Sequence, residues 1–149
     1  MMDMKTRIDQ AVKDAMRAGD QVTRQTLRLV LAAIKQSEVD QRIVLDDNAV
    51  FRILQKEVKT RNESMDDARK ADRSDLIQEL EEEIEVLKKF LPEEIDDEAL
   101  LDLAKAAVTE VGAASPADMG KVMKILIPRV QGQAAGSRIS KAVRSLLQS

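Results

Sequence analysis

Apolar residues recur along this chain every three or four positions, and nowhere do they hold the two-residue alternation of a strand. The pattern predicts an all-α protein. Its first helix is expected from about Met4 to Ala18, with Met4, Ile8, Val12, Ala15 and Met16 on one face and Gly19 as the left-handed residue that closes it. Asp20 is placed to cap the next helix, "QVTRQTLRLVLAAIKQSEVD", in which Leu27, Val30, Leu31 and Ile34 fall at i, i+3, i+4 and i+7. A third, long helix is expected to begin near Asp46 or Asp47 and to bury Val50, Phe51, Leu54, Val58 and Met65. Leu76, Ile77, Leu80, Ile84 and Leu87 have the spacing of a further, half-buried helix.

The segment "FLPEEIDDEALL" reads as a junction. Pro92 disfavours helix at Leu91, and Asp96 can start a helix with Leu100, Ala104, Ala107, Val108 and Val111 inward and Gly112 at its end. We therefore expect an N-terminal multihelical domain over 1–93 and a bundle of about three helices over 94–149. "SPAD" puts Ser115 at an N-cap, Pro116 at the first helical position and Asp118 at the third. Met119, Val122, Met123 and Leu126 form the buried face of the helix that follows, and Pro128 should kink or stop it. A last helix after Gly132 and Gly136 carries Ile139, Val143, Leu146 and Leu147.

Charge is distributed unevenly over this frame. The net charge is −3, yet Asp75 to Glu98 holds eleven acids against Lys88 and Lys89, and residues 119–149 hold six bases and no acid. Those bases are Lys121, Lys124, Arg129, Arg138, Lys141 and Arg144. Two secondary basic stripes lie further upstream: Arg24, Arg28 and Lys35, within about 40° of one another at about 100° per residue, and Arg52, Lys56 and Lys59. The acidic run suits a solvated helix face, with Glu85 and Lys89 in the favoured i,i+4 order. It lacks the ligand loop of a calcium or magnesium site.

Composition removes most chemistry. With no Cys, His, Trp or Tyr, there is no thiol nucleophile, imidazole base or zinc-thiolate site. Gly120-Lys121 is followed by Val122 and has no glycine at phosphate-loop spacing. Ser137, Ser140 and Lys141 could be drawn as a Ser–Lys pair, but nothing nearby supplies an oxyanion hole. We expect no catalytic residue, no cofactor and no metal. The charged start "MMDMKTRIDQ" and the lack of a long apolar run give the expectation of a cytoplasmic protein without membrane contact.

Nucleic-acid binding and an ordinary solvated surface both remain open for the basic groupings. Lysine and arginine that neutralise phosphates release counterions and give salt-sensitive affinity. Phe51 and Phe90 are the only aromatics, both in core-like patterns, so any RNA would be read by shape and backbone rather than by stacked bases. Exposed Met123 or Ile127 would favour a protein-docking module instead.

Four segments, "TLRLVLAAIKQSEVD", "LQKEVKTRNES", "EVLKKFLPEEI" and "MGKVMKILIPRVQGQAAGSRISKAVRSLL", together resemble the YqeY family, free-standing relatives of the C-terminal region of GatB. GatB is a subunit of the amidotransferase that converts misacylated Glu-tRNA or Asp-tRNA. The resemblance implies a helical N-terminal domain followed by a tail-like bundle that contacts the outer body of tRNA, within or beside a tRNA-modifying complex. It also implies the label of carbon–nitrogen ligase with glutamine as amide donor, while the amidase and acyl-activating chemistry belong to other domains. Carried onto this chain, the candidate tRNA contacts are Lys121, Lys124, Arg129, Arg138, Lys141 and Arg144, with Gly132 and Gly136 allowing close backbone approach or a tight turn. The chain departs from the family at Ala135, where Asp or Asn is usual and could cap the last helix; Ser137 is the candidate substitute.

Overall fold

The computed structural model describes residues 3–148. Seven α-helices and one turn of 3-10 helix account for the regular structure, with no strand among the described residues. The chain forms two units that divide between Leu91 and Pro92.

In the N-terminal unit, α1 (Met4–Ala18), α2 (Gln21–Gln41), α3 (Asp47–Lys70) and α4 (Ser74–Lys88) follow one another through short turns. Three of these helices start at an aspartate whose carboxylate accepts an amide of the first turn. Asp3 takes the Thr6 N–H at 2.8 Å, Asp20 the Thr23 N–H at 3.1 Å and Asp46 the Ala49 N–H at 2.8 Å. Gly19, at φ 71°, closes α1 in the left-handed region that costs a glycine nothing. The α4 start has no capping side chain.

Ile8, Leu27, Val30, Ile34, Val50, Leu54 and Leu87 lie at the centre of the core, with Val86 beside them and Phe51, Val58 and Phe90 packed around the rim. Met65, Leu80 and Ile84 form a smaller cluster toward the α3–α4 turn. Met16, expected inward, is 51% exposed: it lies about 100° beyond Ala15, past the edge of the buried arc. The Glu85–Lys89 pair does not form among the described ion pairs; Lys89 is the C-cap of α4, one residue past its last turn.

One buried charge ties α3 to α4. Arg61, expected by no hydrophobic pattern, is only 8% exposed; it donates to the Glu57 carboxylate at 2.6 Å and lies 3.4 Å from that of Glu83. A second ion pair organises the α2–α3 turn. The Lys5 ammonium donates to both Glu38 carboxylate oxygens at 2.9 Å, and Glu38 also accepts the Leu45 N–H at 2.9 Å.

In the C-terminal unit, α5 (Asp97–Val111) starts at Asp96, which accepts the Ala99 N–H at 2.7 Å, and ends at Gly112, φ 68°. The 3-10 turn (Pro116–Asp118) leads into α6 (Met119–Val130), and α7 (Gly136–Leu147) closes the bundle. Each helix packs on the other two around Leu100, Ala104, Ala107, Val122, Leu126, Val130, Ile139 and Val143. Of the two outcomes expected at Pro128, the stop does not occur there: α6 runs two residues past it. The ring falls in the last turn, where the missing amide removes one hydrogen bond and no long stretch of helix depends on it. Gln131, at φ 53°, then ends the helix.

Candidate nucleic-acid interface

The six bases of the C-terminal segment sit on two helices, Lys121, Lys124 and Arg129 on α6 and Arg138, Lys141 and Arg144 on α7. Apolar packing sets their direction. Val122, Leu126 and Val130 turn one side of α6 into the core, which leaves Lys121 and Lys124 about 60° apart on the outer side. Ile139, Val143 and Leu147 do the same for α7, and Arg138, Lys141 and Arg144 then step round it by about 60° each.

The six are not equivalent. Arg129 makes a two-pronged pair with Glu110 of α5, at 2.8 and 2.7 Å. Hydrogen bonding to Arg129 holds the Glu110 carboxyl below its ordinary value, and the same bond raises the arginine. Arg138 donates to the Ile95 carbonyl at 2.8 Å and to the Asp97 carboxylate at 2.7 Å. It thereby ties the start of α7 to the entry of α5, where the Ile95 N–H also donates to the Gln133 carbonyl at 2.9 Å. Lys121 stands 3.9 Å from Asp118. The Asp118 carboxyl is held below its usual value by the Ala114 and Ser115 amides, which reach it at 2.9 and 3.3 Å. Lys124, Lys141 and Arg144 are exposed and have no carboxylate partner among the described residues.

Gly132 adopts φ 79° in the α6–α7 turn, one residue beyond the Gln131 that ends α6, a conformation other residues rarely take. Gly136 is the first residue of α7, and a Cβ there would meet nothing within 4 Å. Ala135 is the N-cap of α7 and gives no side-chain bond. Ser137 does not substitute for it among the described hydrogen bonds. Met123 and Ile127 pack partly buried against the bundle core, so the apolar patch that would favour protein docking on this unit does not arise there.

The upstream stripes are divided in the same way. Arg28, Lys35, Arg52, Lys56 and Lys59 are exposed, whereas Arg24 is half-buried with its Nε lacking a hydrogen-bond partner. No group of three or more acids fit to hold a metal ion occurs among the described residues. No described helix is long and apolar enough to cross a membrane. Pattern reading located the bases but missed the acids that engage them, Glu110, Asp97 and Asp118. Only Asp118 carried a signal, as the third helical position after the Ser115 N-cap in "SPAD".

The chain is 34% identical over 80 residues to Uncharacterized protein C22F3.15 of Schizosaccharomyces pombe, covering 54% of this chain and 65% of the relative. It is 25% identical over 146 residues to Altered inheritance of mitochondria protein 41, mitochondrial, of Pyrenophora tritici-repentis, covering 95% and 79%. The protein of the same name from Lachancea thermotolerans is 33% identical over 119 residues, covering 77% and 63%. The match thus spans less than two thirds of the first and third relatives' own length. The family described as Yqey-like protein matches residues 5–147, nearly the whole chain, and the protein belongs to that YqeY family.

Proposed function

We propose that this protein is a non-catalytic accessory factor that holds the outer body of a tRNA through the phosphate backbone, using α6 and α7. The observation that carries the reading is the trio Lys124, Lys141 and Arg144, exposed and without carboxylate partners in a 31-residue segment that contains no acid after Asp118. The resemblance of four segments to the C-terminal region of GatB suggests the context of tRNA amidation. Any amide transfer would belong to partner subunits, since this chain's own side chains offer neither an acyl-activating site nor a nucleophile–base pair. Lys121 joins the trio at small cost, because a 3.9 Å pair at the surface is weak. Arg129 and Arg138 have structural partners and act mainly by holding α5 against α6 and α7.

Titration of tRNA over a series of salt concentrations tests the reading, with the triple variant Lys124→Glu, Lys141→Glu and Arg144→Glu beside the parent protein. Three or four phosphate contacts give a log–log salt slope of roughly −2 to −4. The variant should lose at least about tenfold in affinity and most of the slope. Binding that the variant leaves intact, or that a simple polyanion matches in affinity, would remove the reading.

A further inference from the structure

A second surface, on the N-terminal unit, has a pattern of its own. The core stripe of α2 is Leu27, Val30 and Ile34, yet Leu29 and Val39 on the opposite side are 57% and 63% exposed. Leu29, Ala32, Gln36 and Val39 follow one another in steps of three, four and three, and stay within about 80° on the helix. That is the narrow seam of a helix-pairing surface rather than the broad face of a globular core. Ile43 continues the step of four beyond the helix end and, with Val44, is 51% and 82% exposed.

The end of the seam is held in place. Arg42 turns the chain at φ 57°, the Ile43 N–H donates to the Glu38 carbonyl at 3.2 Å, and buried Leu45 is fixed by its bond to the Glu38 carboxylate. An isoleucine and a valine exposed on an anchored turn, continuous with an apolar helix stripe, are a contact surface in waiting.

Charge identifies the partner. Arg28 and Lys35 flank the seam seven residues apart, and Arg42 follows at the same interval. All three are exposed and none has a carboxylate partner among the described residues. Residues 21–37 contain no acid. An antiparallel second copy would set these cations against one another, and a parallel copy would offer an acid, Asp40, to Lys35 alone. Self-pairing therefore leaves the flank unmatched. We infer that the outer face of α2 docks an amphipathic helix of another protein, apolar along a heptad seam and acidic along the edge that meets Arg28, Lys35 and Arg42.

The probe is a labelled synthetic three-heptad peptide with Leu at the seam positions and Glu on both flanks, the glutamates also keeping it from pairing with itself. Anisotropy with the full chain should give a dissociation constant below about 100 µM. The same peptide with Lys flanks should bind at least about tenfold more weakly. Leu29→Asp with Val39→Asp should abolish binding, and Arg28→Glu with Lys35→Glu should reverse the preference between the two peptides; circular dichroism checks that each variant keeps its helix content. Failure of the acidic peptide to bind, equal binding of both peptides, or indifference to the seam variant overturns the inference. So does sedimentation showing a dimer that the seam variant dissociates, which assigns the face to a second copy, or seam-dependent binding to phosphatidylglycerol vesicles, which assigns it to a lipid surface.

Discussion

Installing the missing cap on α7, by Ala135→Asp, should stabilise the C-terminal unit. Four other helices of this chain begin at an aspartate that accepts a first-turn amide at 2.7 to 3.1 Å. Ala135 already has the backbone they use: φ −68° and ψ 152°, against −74° and 165° at Asp96. Its side chain points to open surface, so an aspartate enters without strain or collision. A cap of this kind contributes about 1 kcal/mol. Part of that is offset here, because the Arg138 N–H that it would engage already reaches the Ala135 carbonyl at 3.0 Å. The negative charge at the positive end of the helix returns a further few tenths of a kcal/mol. With an unfolding entropy of about 2.1 cal/mol/K per residue over the roughly 58 residues of the unit, 1 kcal/mol corresponds to about 8 °C in Tm. Thermal unfolding by calorimetry reads the shift, and hydrogen exchange at the Ile139 amide, bonded to the Ala135 carbonyl at 3.1 Å, locates it. Ala135→Asn separates the hydrogen bond from the charge. If neither variant raises Tm or slows exchange in the first turn of α7, the capping argument is wrong.

Three further outcomes follow from the packing. Arg61→Ala should cost about 3 kcal/mol by stranding Glu57 and Glu83 against each other, and Arg61→Met should lose nearly as much, since it keeps the volume but strands the same carboxylates; a Met variant close to neutral in denaturant unfolding would show that Arg61 only fills space. Leu126→Ala, at a fully buried position, should cost about 3 kcal/mol and lower the Tm of the C-terminal unit. The Glu38 carboxyl is held below its ordinary value first by the Leu45 N–H and then by Lys5. A carboxyl depressed in the folded state takes up its proton more readily when unfolded, so its contribution is full above the unfolded value near 4.5 and fades as pH falls through the folded one. Glu38→Gln should therefore lower stability at neutral pH and flatten its decline in acid, as read by urea midpoints across a pH series.

The helices were legible because this sequence marks their ends. Asp20, Asp46 and Asp96 announce starts, and Gly19 and Gly112 announce stops, each through backbone amides or torsions that local sequence alone satisfies. Periodicity was less complete where a helix meets two neighbours. Helix α4 packs on both α2 and α3, so its buried arc is wide: Leu80 and Ile84 join one cluster, Val86 another, about 120° round the helix from Leu80. A single-stripe reading finds the first pair and loses Val86. Arg61 was hidden for the opposite reason, since its charge masked a position seven after Leu54 and four before Met65, squarely on the buried row.

The candidate surface divides along the same line between local and distant information. That six bases face outward is a local fact, fixed by where Val122, Leu126, Ile139 and Val143 must go. Which of the six are available to a polyanion is not local, because Arg129 finds Glu110 across 19 residues of sequence and Arg138 finds Asp97 across 41. These contacts distinguish positional from charge-bearing arginines in a way composition could not. Loss of Arg138 would release two bonds that hold the α5 entry, so weaker tRNA binding in an Arg138 variant would not by itself identify a phosphate contact. Lys141 and Arg144 lie on the same helix but carry no such duty, and a salt slope that drops when they alone are reversed reports the electrostatics of the surface rather than the integrity of the bundle.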